Sequence, residues 1–402
     1  MGHGHSHVRR DAPVHVDVAR GPLMVLTGFL VLCAVAAIVG VVGLWPDSAA
    51  VNRLRDQAQF TAPGVTFQKA RVETVQPLCA NSKESSPTCG NIEAVLTTGP
   101  EKGQREVVGV PPPVTRSGVG PGDTVRLMRV PGQGQPTYSF DEVIRLNPLW
   151  FMIGFFVVVV AVVARKRGVL ALVALAFAGF VLVRFMLPAL LSGSNGLAVS
   201  LVGSAAIMFV VLYLAHGPSV RTSAALAGTL VGIGITAVVG VVAVHGSNLS
   251  GSGSEDTALL SSFAGNVSFQ GLLTCALVVA GLGVLNDVTI TQASSVWELR
   301  EAGPELSRSN LFASAMRIGR DHIASTIYTI VFAYAGSALA VLLLLTLYDR
   351  PVLDLLSTEA IAEEIVRTLA SGIGLVLAVP ATTAIAVLTV AGPRREGARR
   401  AE

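Results

Sequence analysis

Eight stretches of this chain are apolar over close to the ~20 residues that a helix needs to cross about 30 Å of hydrocarbon. They run approximately 23–44, 148–164, 169–190, 197–215, 224–244, 269–289, 323–347 and 364–390. Hydrophobic residues make up 51% of the chain and charged ones 14%, too few charges to wrap eight such stretches in water. The expected class is therefore a mostly α, polytopic helical membrane protein of about eight transmembrane helices, with a small extracytoplasmic all-β domain, OB-like or barrel. The small net positive charge, +3, is no nucleic-acid footprint, because Lys and Arg sit at the ends of the apolar stretches.

Those charges orient the chain. Arg9, Arg10 and Arg20 precede the first stretch; Arg165-Lys166-Arg167 follows the second, Arg221 the fourth, Arg300, Arg308, Arg317 and Arg320 the sixth, and Arg394, Arg395, Arg399 and Arg400 the last. The alternate connections, 192–196, 246–268 and 348–362, hold only Arg350. The positive-inside rule then puts both termini of a multi-pass plasma-membrane protein in the cytoplasm. The first stretch reads as an uncleaved anchor, since Leu44-Trp45-Pro46 offers no Ala-x-Ala site. The resulting division is a His-rich tail (1–22), the anchor (23–46), a β-rich domain (47–146), a seven-helix membrane domain (147–391) with a cytoplasmic loop at 291–322, and a basic tail (392–402).

His3, His5 and His7 alternate in the first tail. Neutral imidazoles so placed can chelate Zn²⁺ or Ni²⁺, while a flexible tail of incidental divalent-metal affinity is the plainer reading. In the β-rich segment, period-two runs at 65–72, 92–96, 106–110 and 124–128 are separated by turn formers such as Thr98-Gly99-Pro100 and Gly120-Pro121-Gly122-Asp123. Cys79 and Cys89 lie in that segment, and an extracytoplasmic pair at this spacing is expected to oxidise, free thiols being the alternative. The 246–265 connection is rich in Ser and Gly and is expected to be mobile.

Chemistry concentrates after the sixth stretch. Asn286, Asp287, Thr291 and Gln292 surround the end of an apolar helix, and an ionisable group inside such a helix is usually partnered and often functional. Oxygen-rich groups there can coordinate a cation, accept a proton or bind a solute; a pairing of Asp287 with a loop arginine is the structural alternative. Val296, Trp297 and Leu299 then suit a short interfacial helix with Glu298, Arg300 and Glu301 toward water. Ser307 caps a further helix in which Arg317 and Asp321 are i,i+4 partners, and Arg320 and His322 complete a gate or proton-relay candidate. Tyr328 and neighbouring hydroxyls can line a path beyond it. Arg184 and Arg367 stand near the ends of other apolar stretches. HExxH and GxSxG patterns are absent, so no enzyme activity is expected.

The segments 283–299 (Gly-Val-Leu-Asn-Asp-Val-Thr-Ile-Thr-Gln-Ala-Ser-Ser-Val-Trp-Glu-Leu) and 317–336 (Arg-Ile-Gly-Arg-Asp-His-Ile-Ala-Ser-Thr-Ile-Tyr-Thr-Ile-Val-Phe-Ala-Tyr-Ala-Gly) resemble the YibE/F-like family of bacterial multipass membrane proteins. The resemblance implies a fold and carries over no catalytic or transport residue. The expected function is transport or export of a small solute, an inorganic anion such as phosphate being favoured by the arginines, along a polar path in helices six to eight. The alternative is a scaffold or sensor whose external β domain binds a ligand or partner. Expected partners are the lipid bilayer and a small solute or ion, with self-association open and no nucleic acid.

Overall fold

The computed structural model describes residues 16–57, 64–76, 90–132, 135–265, 267–347 and 351–393. Cys79, Cys89, His3, His5 and His7 lie outside the described residues. The chain divides into two compact units, one of residues 55–163 and one of residues 1–54 with 164–402.

The smaller unit holds a five-stranded antiparallel sheet of β1 (Thr66–Val75), β2 (Asn91–Leu96), β3 (Arg105–Gly109), β4 (Thr124–Val130) and β5 (Thr137–Val143), in the order β3-β2-β1-β4-β5. Its edge strands β3 and β5 approach each other, so the sheet curls. Alternation does what the sequence pattern required: Ala70, Val72, Ile92, Ala94, Leu96, Val125 and Leu127 bury the inner face. The four alternating runs become β1 to β4. β5 is an addition, and Tyr138 is its buried member.

A partly buried carboxylate ties this sheet together. Glu101, in the β2–β3 turn, takes a fork of Arg129 N–H groups (Nη2 to Oε1 2.6 Å, Nε to Oε2 3.1 Å), the Tyr138 hydroxyl (3.0 Å) and Gln68 Nε2 (3.3 Å). The turn needs Gly99: its φ is +92°, and a Cβ there would overlap the Gln68 amide.

The larger unit is helical: α1 (Arg20–Gly43), α2 (Leu146–Val181, whose first part belongs to the other unit), α3 (Gly196–His216), α4 (Val220–Gly246), α5 (Phe269–Ala302), α6 (Arg308–Ser337) and α7 (Glu359–Thr389), joined by shorter helices. Six helices are long and apolar enough to cross a membrane, or seven if α6 and Leu339–Leu345, bent by 68°, count as one. The sequence division into eight differs in two places. The second and third stretches are two helices that meet directly at a break at Arg165 (φ 52°), within the basic triplet, and only taken together do they make one 46-residue run. The seventh stretch is broken at Ala338. Near Arg184 the helix widens into a π turn (Leu182–Met186), because Pro188 has no N–H to offer the Arg184 carbonyl.

The core is a triangle of α4, α5 and α7. Antiparallel α4 and α7 meet at Gly228 against Thr382, Gly232 against Ala378, and Thr236 against Gly374, one contact per turn. Antiparallel α4 and α5 meet at Thr229 with Thr289, Gly232 with Leu285, and Gly240 with Leu277. Outward faces carry large apolar side chains such as Leu32, Val242, Phe332 and Leu343.

Two expectations change. No short interfacial helix follows Gln292: nothing in the sequence stops α5 before Gly303-Pro304, so it runs 34 residues, and Val296, Trp297 and Arg300 are buried rather than interfacial. The connection expected to be mobile is built instead. Ser254 caps a helix, Glu255–Phe263, by accepting from Thr257 N, while Glu359 accepts from Ser250 N (2.6 Å) and Glu363 from Gly253 N (3.0 Å).

Gly374→Ala places a methyl group against Thr236, so thermal unfolding of the detergent-purified protein should show a loss of about 1–3 kcal/mol; Gly372→Ala, with nothing within 4 Å, should be neutral. Hydrogen bonds, first from Arg129, hold the Glu101 carboxyl down from 4.5 to about 2. The unfolded chain therefore takes up this proton first: the stabilisation is complete above pH 4.5 and disappears as pH falls from 4.5 toward about 2. Hydrogen exchange of β-strand amides in the full-length protein should accelerate through that window, and less so in Glu101→Gln.

Candidate functional site

α5 carries the candidate residues on opposite faces. Inward, Thr289 Oγ1 lies 2.6 Å from Thr229 Oγ1, and both side chains are wholly buried. Only one proton fits between two hydroxyls, so one donates across the interface and the other back to a carbonyl of its own helix. One turn further, Gln292 Nε2 donates to the Ala315 carbonyl of α6 (2.9 Å) and to Thr383 Oγ1 of α7 (2.7 Å), while the Thr383 hydroxyl donates to the Val379 carbonyl (2.7 Å). Both amide hydrogens of Gln292 are thus taken by protein acceptors. Gly319 allows this approach: a Cβ there would stand 2.9 Å from Gln292 Oε1 and 2.8 Å from Val379 Cγ1.

Outward, Asp287 is 70% exposed and faces His322 of α6, with Nε2 to Oδ2 at 3.7 Å, near enough for charge attraction and too far for a hydrogen bond. Among the described residues His322 Nε2 and the neighbouring Asn286 Oδ1 are buried atoms without a hydrogen-bond partner. His216, at the end of α3, stands in the neighbourhood of Arg167, Arg221 and Asp287. The α4–α5 pairs put Asp287 at a level between Thr229 and Gly232, about 15 Å along α4 from its Val220 end at 1.5 Å per residue. The Asp287–His322 pair therefore stands about 15 Å along the helices from that end, with Asp287 on the exposed side of α5.

The remaining sequence candidates do not join it. Thr291 is half-buried on α5. Arg317, Arg320, Asp321 and Tyr328 are exposed along the outer face of α6. Arg317 turns back to Ser314 Oγ (3.0 Å), and the expected Arg317–Asp321 pair does not form among the described residues. Thr326, the buried hydroxyl of α6, donates to the His322 carbonyl (2.7 Å). Toward the other end, Arg367 Nη1 meets Glu364 Oε1 at 2.5 Å, near Tyr334 and Ser371. The described residues contain no group of three His, Cys, Asp or Glu fit to hold a metal ion. Sequence reasoning passed over His216, which looks like an ordinary helix end before Gly217-Pro218, and Thr229, one small polar residue among many.

A family model described as YibE/F-like protein matches residues 152–392, more than half of the chain, and the chain belongs to that family. No curated protein and no solved structure matches it.

Gln292→Leu keeps most of the side-chain bulk but leaves the Ala315 carbonyl without its donor. The expected cost is about 1–3 kcal/mol, read as a lower unfolding temperature.

Proposed function

We propose that this chain is an integral membrane protein that moves a small solute across the bilayer, with Asp287 and His322 as the pair that handles a proton or the solute's charge. The observation that carries the reading is their placement: a carboxylate and an imidazole face each other from α5, which is apolar enough to span, and α6, which is so only together with Leu339–Leu345. An ionisable pair inside an apolar span costs a few kcal/mol, so one that is present there is a functional candidate. At 3.7 Å the pair is also loose, so its proton is not locked in a hydrogen bond between the two groups. Among the described residues Arg184, Arg317 and Arg320 have no carboxylate partner, which makes an inorganic anion such as phosphate the first solute to test. The charge pattern supports cytoplasmic termini and an external β unit, whose strand order is compatible with an OB-like barrel.

One observation favours a second reading, a scaffold or sensor. The inner polar groups, Thr229 with Thr289 and Gln292 with Thr383, satisfy one another and leave no evident passage between them.

The test is reconstitution with a pH-sensitive dye under a phosphate gradient. Wild type should show solute-dependent proton movement, and folded Asp287→Asn and His322→Gln variants should lose it at least ~10-fold, the factor for about 1.4 kcal/mol. Variants that move every tested solute as well as wild type would end the transport reading. Loss of function on deleting residues 47–145, with Asp287→Asn harmless, would install the second.

A further inference from the structure

The first helix is pinned to the bundle at its two ends. At its start, Ala19 N donates to the Thr389 carbonyl (2.9 Å), Ala391 N to the Asp17 carbonyl (2.7 Å), and Val18 bridges Val390 antiparallel, so the beginning of α1 is tied to the end of α7. Near its other end Gly40 admits Val202 of α3: a Cβ there would lie 2.4 Å from Val202 Cγ2. Between these two contacts a crevice of about 440 Å³ opens among α1, α4 and α7. Its walls include Pro22, Val25 and Phe29 of α1, Ala227 and Val231 of α4, and Leu388 of α7.

The crevice suits hydrocarbon. Thr389, the polar member of the described lining, donates its hydroxyl to the Ile385 carbonyl of its own helix (2.6 Å), so it offers a solute no free donor. Val25 and Leu388 are more than half exposed, which leaves the crevice open on the outer surface of the bundle. From Pro22 to Phe29 it follows α1 for about 10 Å at 1.5 Å per residue. Left empty, its walls forfeit dispersion contacts, and an apolar space gives water no partners. All three helices are apolar enough to span, so lipid chains are the hydrocarbon at hand.

The rim at the clasp is basic. Arg308 Nη2 donates to the carbonyl of Leu388 (3.4 Å), and Arg20 opens α1 two residues before Pro22. Both side chains are exposed, and neither meets a carboxylate among the described residues. In sequence the chain passes from Thr389 to Arg394-Arg395 within six residues. The charge pattern assigns this end to the cytoplasm, whose leaflet carries anionic lipid.

We propose that the crevice holds one acyl chain of an anionic phospholipid, with the headgroup phosphate drawn to Arg20 and Arg308. The acyl chain fills the space between α1 and the α4–α7 pair, and the guanidinium groups favour a net negative headgroup over a zwitterionic one. The proposal shares only the membrane setting with the transport reading and stands whether or not a solute is moved.

The test is native mass spectrometry of the full-length protein, purified in a mild detergent, stripped of lipid and then offered phosphatidylglycerol or phosphatidylcholine. Wild type should retain phosphatidylglycerol, at least ~10-fold over phosphatidylcholine. Val231→Trp, whose indole fills the crevice, should lower retention at least ~10-fold, while Val242→Trp, at an exposed position on the same helix beyond the crevice, should leave it unchanged. If the first variant does not fold, Val25→Trp on the α1 wall makes the same test. Arg20→Gln combined with Arg308→Gln should keep the lipid and lose the preference. No retained lipid in wild type, equal retention in the Val231 and Val242 variants, an unchanged preference in the double variant, or a density map with a helix of a second copy in the crevice would overturn the proposal. Wild type that washes off membranes in alkaline carbonate would instead remove the membrane setting on which both readings stand.

Discussion

Everything in the helical unit depends on how closely α4 and α7 approach. Gly228, Gly232 and Gly374 remove a side chain from one partner at each successive turn, and Thr382, Ala378 and Thr236 fill the space from the other. Without a hydrophobic driving force between helices in lipid, such close packing is a main source of association. The same contact sets height and rotation for α5, because Leu285 lies against Gly232 while Thr289 bonds Thr229. Once α5 is so rotated, Gln292 must point inward to α6 and α7, and Asp287 must point away from the core.

That rotation separates two kinds of polar group that are adjacent in sequence. Thr289 and Gln292 are structural: each is buried, and each finds partners on neighbouring helices, where an unpaired amide or hydroxyl costs about 1–3 kcal/mol. Asp287, Asn286 and His322 are less satisfied, with a 3.7 Å gap and two partnerless atoms. Arg300, at the end of the same helix, is likewise incompletely paired, with Nη1 fixed by carbonyls and Nε and Nη2 without a partner among the described residues.

Much of the fold was legible in the chain. Apolar runs marked α1, α3, α4, α5 and α7, and alternation marked β1 to β4, because burial of one face leaves a period that can be counted. β5 was not seen: Asp141-Glu142 interrupts its apolar pattern, and Arg126 on β4 pairs with both only once the strands are side by side. The end of α5 was misplaced, because Glu298, Arg300 and Glu301 look like a water-facing stretch until Trp297 and Arg300 are found in the interior. Of the candidate site, the sequence named Asp287 and His322, which the structure sets 3.7 Å apart, together with Arg317, Arg320, Asp321 and Tyr328, which lie exposed along α6.

What the sequence determined by itself is most of the helices and four of the five strands, the family and the presence of ionisable groups inside apolar helices. These follow from composition and period, which are local. Which of those groups meet was decided only by the tertiary structure. Rotation about a helix axis depends on where glycines let a neighbour in, so the pairing of Asp287 with His322, the burial of Gln292 and the burial of Arg300 all depend on contacts between residues far apart in the chain.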